Sequence, residues 1–309
     1  MPERNEKCTC GSGKKYKKCC MDQENSKKVV SQSGSVAGVL YGPIDASDDD
    51  HFDFRFIFQN MELRSFLLQK DKRSDFDKDY DTFYQNLKEA RLAKKYALRE
   101  IKRHREEIFT RKDGIITGHQ LNIHNPIDDE LNLFFKDFFI RGTMATEGLQ
   151  HLLHKWFGYN IAFLFTDDMK KFEKGAKAFK LDRNDPRFET LSIFIKSHRD
   201  GWYRSFKELR DQIEHRGFRL PQIKHRLDEN GNVQIYIPKL GKQTIEDVLN
   251  LAWDNLSNLC EEIYVFIASL ELSKDYIIWK IPEDKRSKHN WSRYKIAIPE
   301  FPEAHVSTS

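Results

Sequence analysis

The stretch Asp75-Phe76-Asp77-Lys78-Asp79-Tyr80-Asp81-Thr82-Phe83-Tyr84-Gln85-Asn86-Leu87-Lys88-Glu89-Ala90 sets the fold class. Phe76, Tyr80, Phe83, Leu87 and Ala90 recur at three- and four-residue steps, and Ala97, Ile101 and Ile108 carry the stripe onward. That period gives an α-helix one apolar side and leaves Asp, Lys and Glu on the other. The pattern predicts one long amphipathic helix ending before Asp113-Gly114. The basic run from Arg99 to Arg105 alternates with the stripe and reads as a solvated helix face.

Further helices are expected along the chain. One runs from Asp128 to Phe157, behind Asn125-Pro126, and a short one covers Asp167 to Phe179. The next begins after Asp185 with Pro186 in its first turn. Its stripe is Phe188, Leu191, Ile195, His198, Trp202, Phe206, Leu209 and Ile213, and it stops at Gly217. The last long helix spans Thr244 to about Leu272, with Thr244 as N-cap and Asp247 three residues on. On these helices Cys260 and His198 read as core residues, the histidine hydrogen-bonded, and His151 and His154 as partly buried.

Asp228-Glu229-Asn230-Gly231 is a turn signal between 223–227 and 233–237, which predicts a hairpin. Two more strands are expected over 276–281 and 294–298. Phe52, Phe54, Phe56 and Phe58 alternate with other residues, which suits either a short strand or an irregular arm capping the core. The expected fold is mainly α: a four-helix bundle with small β-hairpin additions and an N-terminal zinc knot.

At 39% hydrophobic and 13% aromatic, the 309 residues can fill a sizeable core. The net charge of +4 excludes a histone-like polycation, so any nucleic-acid contact must come from local patches. No apolar run reaches membrane-spanning length and the start lacks a signal-peptide core. With reduced cysteines, a cytoplasmic location is expected.

Four of the five cysteines, Cys8, Cys10, Cys19 and Cys20, lie within thirteen residues. A disulfide framework would spread them across the fold, whereas four soft ligands close one structural Zn2+ shell. Gly11 and Gly13 allow the tight turns required, and Lys14, Lys15, Lys17 and Lys18 favour the thiolates. The spacing Cys-x-Cys-x8-Cys-Cys around Gly-Ser-Gly-Lys-Lys-Tyr resembles the SEC-C motif, with Thr9 where that family usually has proline. The resemblance implies a zinc site that either only pins its own fold or contacts RNA, a ribosome or a protein. Such motifs occur on many different proteins, so this one does not name the rest. Residues 1–21 are thus read as the knot, 22–50 as a polar linker and 51–309 as the main domain.

The sequence Arg210-Asp211-Gln212-Ile213-Glu214-His215 ends the fourth predicted helical segment. Arg-x4-His with an acidic residue directly after the arginine resembles the signature of the HEPN superfamily. These are helical bundles, often dimeric, and many are metal-independent endoribonucleases of toxin, phage-defence or RNA-processing systems. The resemblance implies RNA cleavage by 2′-hydroxyl attack, with His215 moving protons and Arg210 holding the phosphate. Asp211, four residues before His215, shares its face and is expected to hold one ring nitrogen. On a regular helix Arg210 and His215 project about 140° apart, so a homodimer pairing two copies is the expected arrangement. The competing reading makes these residues a solvated last turn whose cations suit the helix dipole. In that case the chain is a non-catalytic interaction protein carrying a zinc module.

A second basic segment, Lys285 to Tyr294, interleaves Arg286, Lys288 and Arg293 with Trp291. Cations with exposed rings suit single-stranded RNA. A basic hairpin loop with a packed Trp is the alternative.

Overall fold

The computed structural model describes residues 52–110, 126–230, 232–286 and 292–300. Among these the chain is mainly α. The helices are α1 (Gln59–Leu67), α2 (Lys70–Thr110), α3 (Pro126–Phe157), α4 (Met169–Lys177), α5 (Pro186–His198), α6 (Arg204–His215) and α7 (Ile245–Glu271). Three antiparallel hairpins accompany them: β1 (Lys224–Leu227) with β2 (Val233–Tyr236), β3 (Lys239–Leu240) with β4 (Gln243–Thr244), and β5 (Ile277–Lys280) with β6 (Tyr294–Ala297).

The stripe that predicted α2 is the side it buries: Phe76, Tyr80, Phe83, Leu87, Ala90, Ala97 and Ile101 all face the core. Phe76, near the start of α2, meets Trp156 and Phe157 at the end of α3. His104, near the end of α2, meets Asp128 at the start of α3, so the two helices run antiparallel. α7 also opposes α2, since Tyr264 packs on Tyr80 while Glu246 pairs with Arg105. Its first turn is closed by the reciprocal Thr244–Asp247 capping box that the sequence suggested.

α5 and α6 are one helical run interrupted by a wider turn at Arg199–Tyr203. Such an insertion shifts the hydrogen-bond register by a residue and re-aims the helix beyond it. α6 then lies antiparallel to α3, with Phe206 on Phe138 and Phe139 and Phe218 on Phe135. Gly217, at φ 64°, lets the Phe218 N–H turn back to the Gln212 carbonyl and end the helix.

One local expectation is corrected. Phe52 to Phe58 form no strand: Phe54–Phe58 make a wide helical turn leading into α1. Alternation at 52 and 56 is also a four-residue helical step. Phe52 and Phe56 are both buried with rings 4.9 Å apart, whereas Phe58 is exposed. The deciding partner is distant, because Arg55 and Gln59, again four apart, both reach Glu261 on α7. The Arg99–Arg105 run is a solvated helix face, as expected, with Arg99, Lys102 and Arg105 exposed, Arg103 partly so, and its cations paired. Arg99 and Arg103 clamp a fully buried Glu100, and Arg103 and Arg105 pair with Glu130 and Glu246.

Candidate functional site

The final turns of α6 place Arg210 half-buried and His215 67% exposed. Arg210 donates through Nη1 to Asp211 Oδ1 at 3.0 Å, and its Nη2 forms an ion pair with Glu214 Oε2 at 2.9 Å. That same Glu214 oxygen lies 3.7 Å from His215 Nε2. Guanidinium and imidazole therefore approach one anionic oxygen from a single helix. The helical-wheel separation of about 140° disfavours such convergence. It holds for Cβ directions only, and a long arginine side chain folds back over the next turn. Asp211 engages Arg210, and the carboxylate beside the imidazole belongs to Glu214.

One turn earlier, Trp202, Ser205, Phe206 and Leu209 line a mainly apolar cavity of about 360 Å³, closed on its far side by Leu240 and Leu251. His198 packs beside Trp202, one of the residues that line it. Its Nδ1 accepts from Trp202 Nε1 at 2.8 Å and its ring packs on Phe194. Burial pushes it down to about 4, so it stays neutral near pH 7. It is the hydrogen-bonded histidine expected of the apolar stripe. His151 and His154 are exposed on α3, not partly buried.

The second basic segment is divided by the structure. Arg293 is 2% exposed and forms no part of a surface. It donates to Asn258 Oδ1 and Glu261 Oε2, each at 2.6 Å, while Arg55 grips Glu261 from the other side. Gln59 Oε1 accepts the backbone N–H groups of Arg293 and Tyr294, and the Tyr294 hydroxyl donates to Glu262. A guanidinium so committed is a structural cation that ties β6 to α7. Burial alone would raise the Glu261 carboxyl, but Arg293 and Arg55 outweigh it and hold it low. Burial wins at Glu262, which is pushed up to about 7 against the pull of Arg293 and Lys280. Arg286 donates to the Ile281 carbonyl at the base of the loop. Lys288 and Trp291 lie outside the described residues.

Sequence reading missed this cluster, although Glu261-Glu262 inside the apolar run of α7 is its one visible signal. It also missed His104 and His225. Both are fully buried, stacked with ring centroids 4.9 Å apart, with Asp128 3.2 Å from His104 Nε2.

Cys8, Cys10, Cys19 and Cys20 lie outside the described residues. Among those described, no three His, Cys, Asp or Glu side chains are arranged to hold a metal ion. Cys260 is buried in α7 as expected. Residues 4–22 match the SEC-C motif family. The matched segment contains all four clustered cysteines, and this motif is of the zinc-binding type. No curated protein and no solved structure matches the chain. No helix among the described residues is long and apolar enough to cross a membrane.

Proposed function

We propose that this protein is a metal-independent, HEPN-like endoribonuclease of the toxin or phage-defence type, with a SEC-C zinc module at residues 4–22. The observation that carries the reading is the oxygen shared between Arg210 and His215. An anionic oxygen 2.9 Å from a guanidinium and 3.7 Å from an imidazole marks where a phosphate oxygen of RNA would sit. Glu214 is its stand-in, and substrate binding displaces it. His215, exposed at the end of α6, is the proton-transfer group for the attacking 2′-hydroxyl and the leaving oxygen. Arg210 neutralises charge as the phosphorane forms, with Asp211 fixing its guanidinium.

The antiparallel set of α2, α3, α5–α6 and α7 is read as the four-helix frame of such proteins. A homodimer brings two α6 ends together, and the cysteines hold Zn2+ in a structural shell that docks the enzyme on RNA, ribosome or protein in the cytoplasm. The second reading is a zinc-binding interaction protein with a vestigial motif. It draws on Arg210, whose two amino groups are already neutralised by neighbours on its own helix.

The test is incubation of the purified full chain with structured and single-stranded RNA in EDTA, beside His215→Ala and Arg210→Ala. Cleavage leaving 2′,3′-cyclic phosphate ends, lost in both variants, is the expected result. A folded protein that cuts none of the RNAs gives the field to the second reading.

A further inference from the structure

α4 presents a row of cations that pair with none of the described residues. Lys170, Lys174 and Lys177 fall at i, i+4 and i+7, within an arc of about 60°, rising over roughly 10 Å along the helix. None of the three side chains makes an ion pair or hydrogen bond with a described residue, whereas the nearby Lys180 and Arg183 are held by Glu271 and Glu173. The opposite side of the helix is occupied. Ala176 is buried, Phe172 packs on Phe163 under the Lys196 ammonium, and a Cβ at Gly175 would lie 2.3 Å from Phe163. So α4 is pressed into the body and, apart from Met169 at its start, keeps no large exposed apolar side chain of the kind an interfacial helix lays into a bilayer. Beside the row, Lys171 borders a hollow of about 260 Å³ that Asn160, Phe163, Thr166 and Gly175 also line. That volume admits one nucleobase.

We infer that this face of α4 is a binding track for single-stranded RNA, with successive phosphates on Lys170, Lys174 and Lys177 and a base in the hollow beside Lys171. Ammonium groups about 4.5–6 Å apart along a helix suit a strand that offers one charge per nucleotide. The track leads towards the proposed active site, and in that respect it rests on the nuclease reading. Arg199 donates to the Thr166 carbonyl and Arg204 to Asp167, which joins the start of α4 to the start of α6. His215 lies eleven residues along α6 from Arg204, on the same helical face, a distance of about 16 Å.

The probe is a fluorescein-labelled single-stranded 2′-O-methyl oligonucleotide, which cannot be cleaved, monitored by anisotropy across a salt series with the full chain. Reversal of the row (Lys170→Glu, Lys174→Glu, Lys177→Glu) is expected to weaken binding at least tenfold. It should also flatten the salt slope by roughly 2, the share of three phosphates on a single strand. A second triple, Lys239→Glu, Lys242→Glu and Lys274→Glu, makes the same change of net charge elsewhere and is expected to bind nearly as wild type. The single Lys174→Gln, mild enough to keep the fold, is expected to lose a few-fold. Equal losses in both triples, unchanged binding in the α4 triple, or no oligonucleotide binding by the wild type each overturn the track. Binding to phosphatidylserine vesicles that the α4 triple abolishes, with RNA affinity intact, overturns it in favour of a membrane surface. Binding of the uncleavable strand reads the α4 row apart from any chemistry at the end of α6. Binding without any cleavage of ordinary RNA therefore removes the nuclease reading and leaves the track standing.

Discussion

His225 on β1 lies face to face with His104 on α2, ring centroids 4.9 Å apart and planes 14° from parallel. Both rings are excluded from water, and neither nitrogen of His225 has a partner among the described residues. Two imidazolium ions cannot share such a contact, so the stack requires at least one neutral ring.

This relationship makes stability pH-dependent. Burial first, and then His104, pushes His225 down to about 4 from its ordinary 6.5, against a smaller upward pull from Asp128. The unfolded chain therefore takes up a proton before the folded one does. The contribution is complete above about pH 6.5 and drains away as pH falls towards 4, on the order of 3 kcal/mol at the bottom. Urea unfolding across that range should show the loss, and His225→Phe should reduce it by about half, since His198, pushed down to about 4 by burial, contributes over the same range. An unchanged pH profile in the variant would assign the acid sensitivity to other groups.

The Arg55–Glu261–Arg293 cluster should behave as a buried ion network. Arg293→Ala leaves Glu261 with one guanidinium and Glu262 with less compensation, at a cost of about 3–5 kcal/mol. Glu261→Gln should be destabilising too, because two buried guanidinium groups then face a neutral amide. A loss under about 1 kcal/mol for Arg293→Ala in denaturant melts would show that β6 does not depend on this contact.

The cap of α7 gives a smaller, local effect. Thr244 Oγ1 accepts from the Asp247 N–H at 3.1 Å, and Asp247 Oδ2 accepts from the Thr244 N–H at 3.2 Å. Thr244→Ala should cost about 1 kcal/mol and Thr244→Ser close to nothing. Similar melting temperatures for all three proteins would argue that the cap is redundant with packing of the helix.

Removing Glu214 separates fold from function at the end of α6. If its carboxylate occupies the phosphate position, Glu214→Gln should bind the uncleavable oligonucleotide several-fold more tightly, since a charge competing for Arg210 is gone. His215→Ala, at an exposed position, should leave the melting point within about a degree. Weaker RNA binding by Glu214→Gln would show that the carboxylate organises the site and is not its placeholder.

The cysteine segment makes a compositional prediction. Native mass spectrometry should find about one zinc per chain, lost on Cys8→Ser or Cys19→Ser. Metal retained by both variants would remove the four-cysteine shell.

Helix identity was readable because it is a local property. The Phe76 stripe, Pro186, Gly217 and the Thr244–Asp247 pair each act within a turn or two of themselves, and each stands where the pattern put it. The Phe52 segment was ambiguous because a four-residue step satisfies both strand alternation and a helical turn. Its conformation is set by Glu261, about two hundred residues away. Arg293 reads as a surface cation for a similar reason, since nothing in a basic stretch announces the carboxylates opposite. The clustered cysteines were legible as the SEC-C motif because its spacing is confined to a short stretch.

By itself, the sequence determined the mainly helical class, the helix starts at Pro186 and Thr244, the helix stop at Gly217, two of the three hairpins and the SEC-C segment. Each comes from periodicity, capping or spacing over a few residues. Only the tertiary structure decided which charges are buried, that Arg210 and His215 approach one oxygen of Glu214, and that the lysine row of α4 pairs with none of the described residues. Those outcomes depend on which side chains arrive from distant elements, and on the cost of leaving a charge in the interior without one.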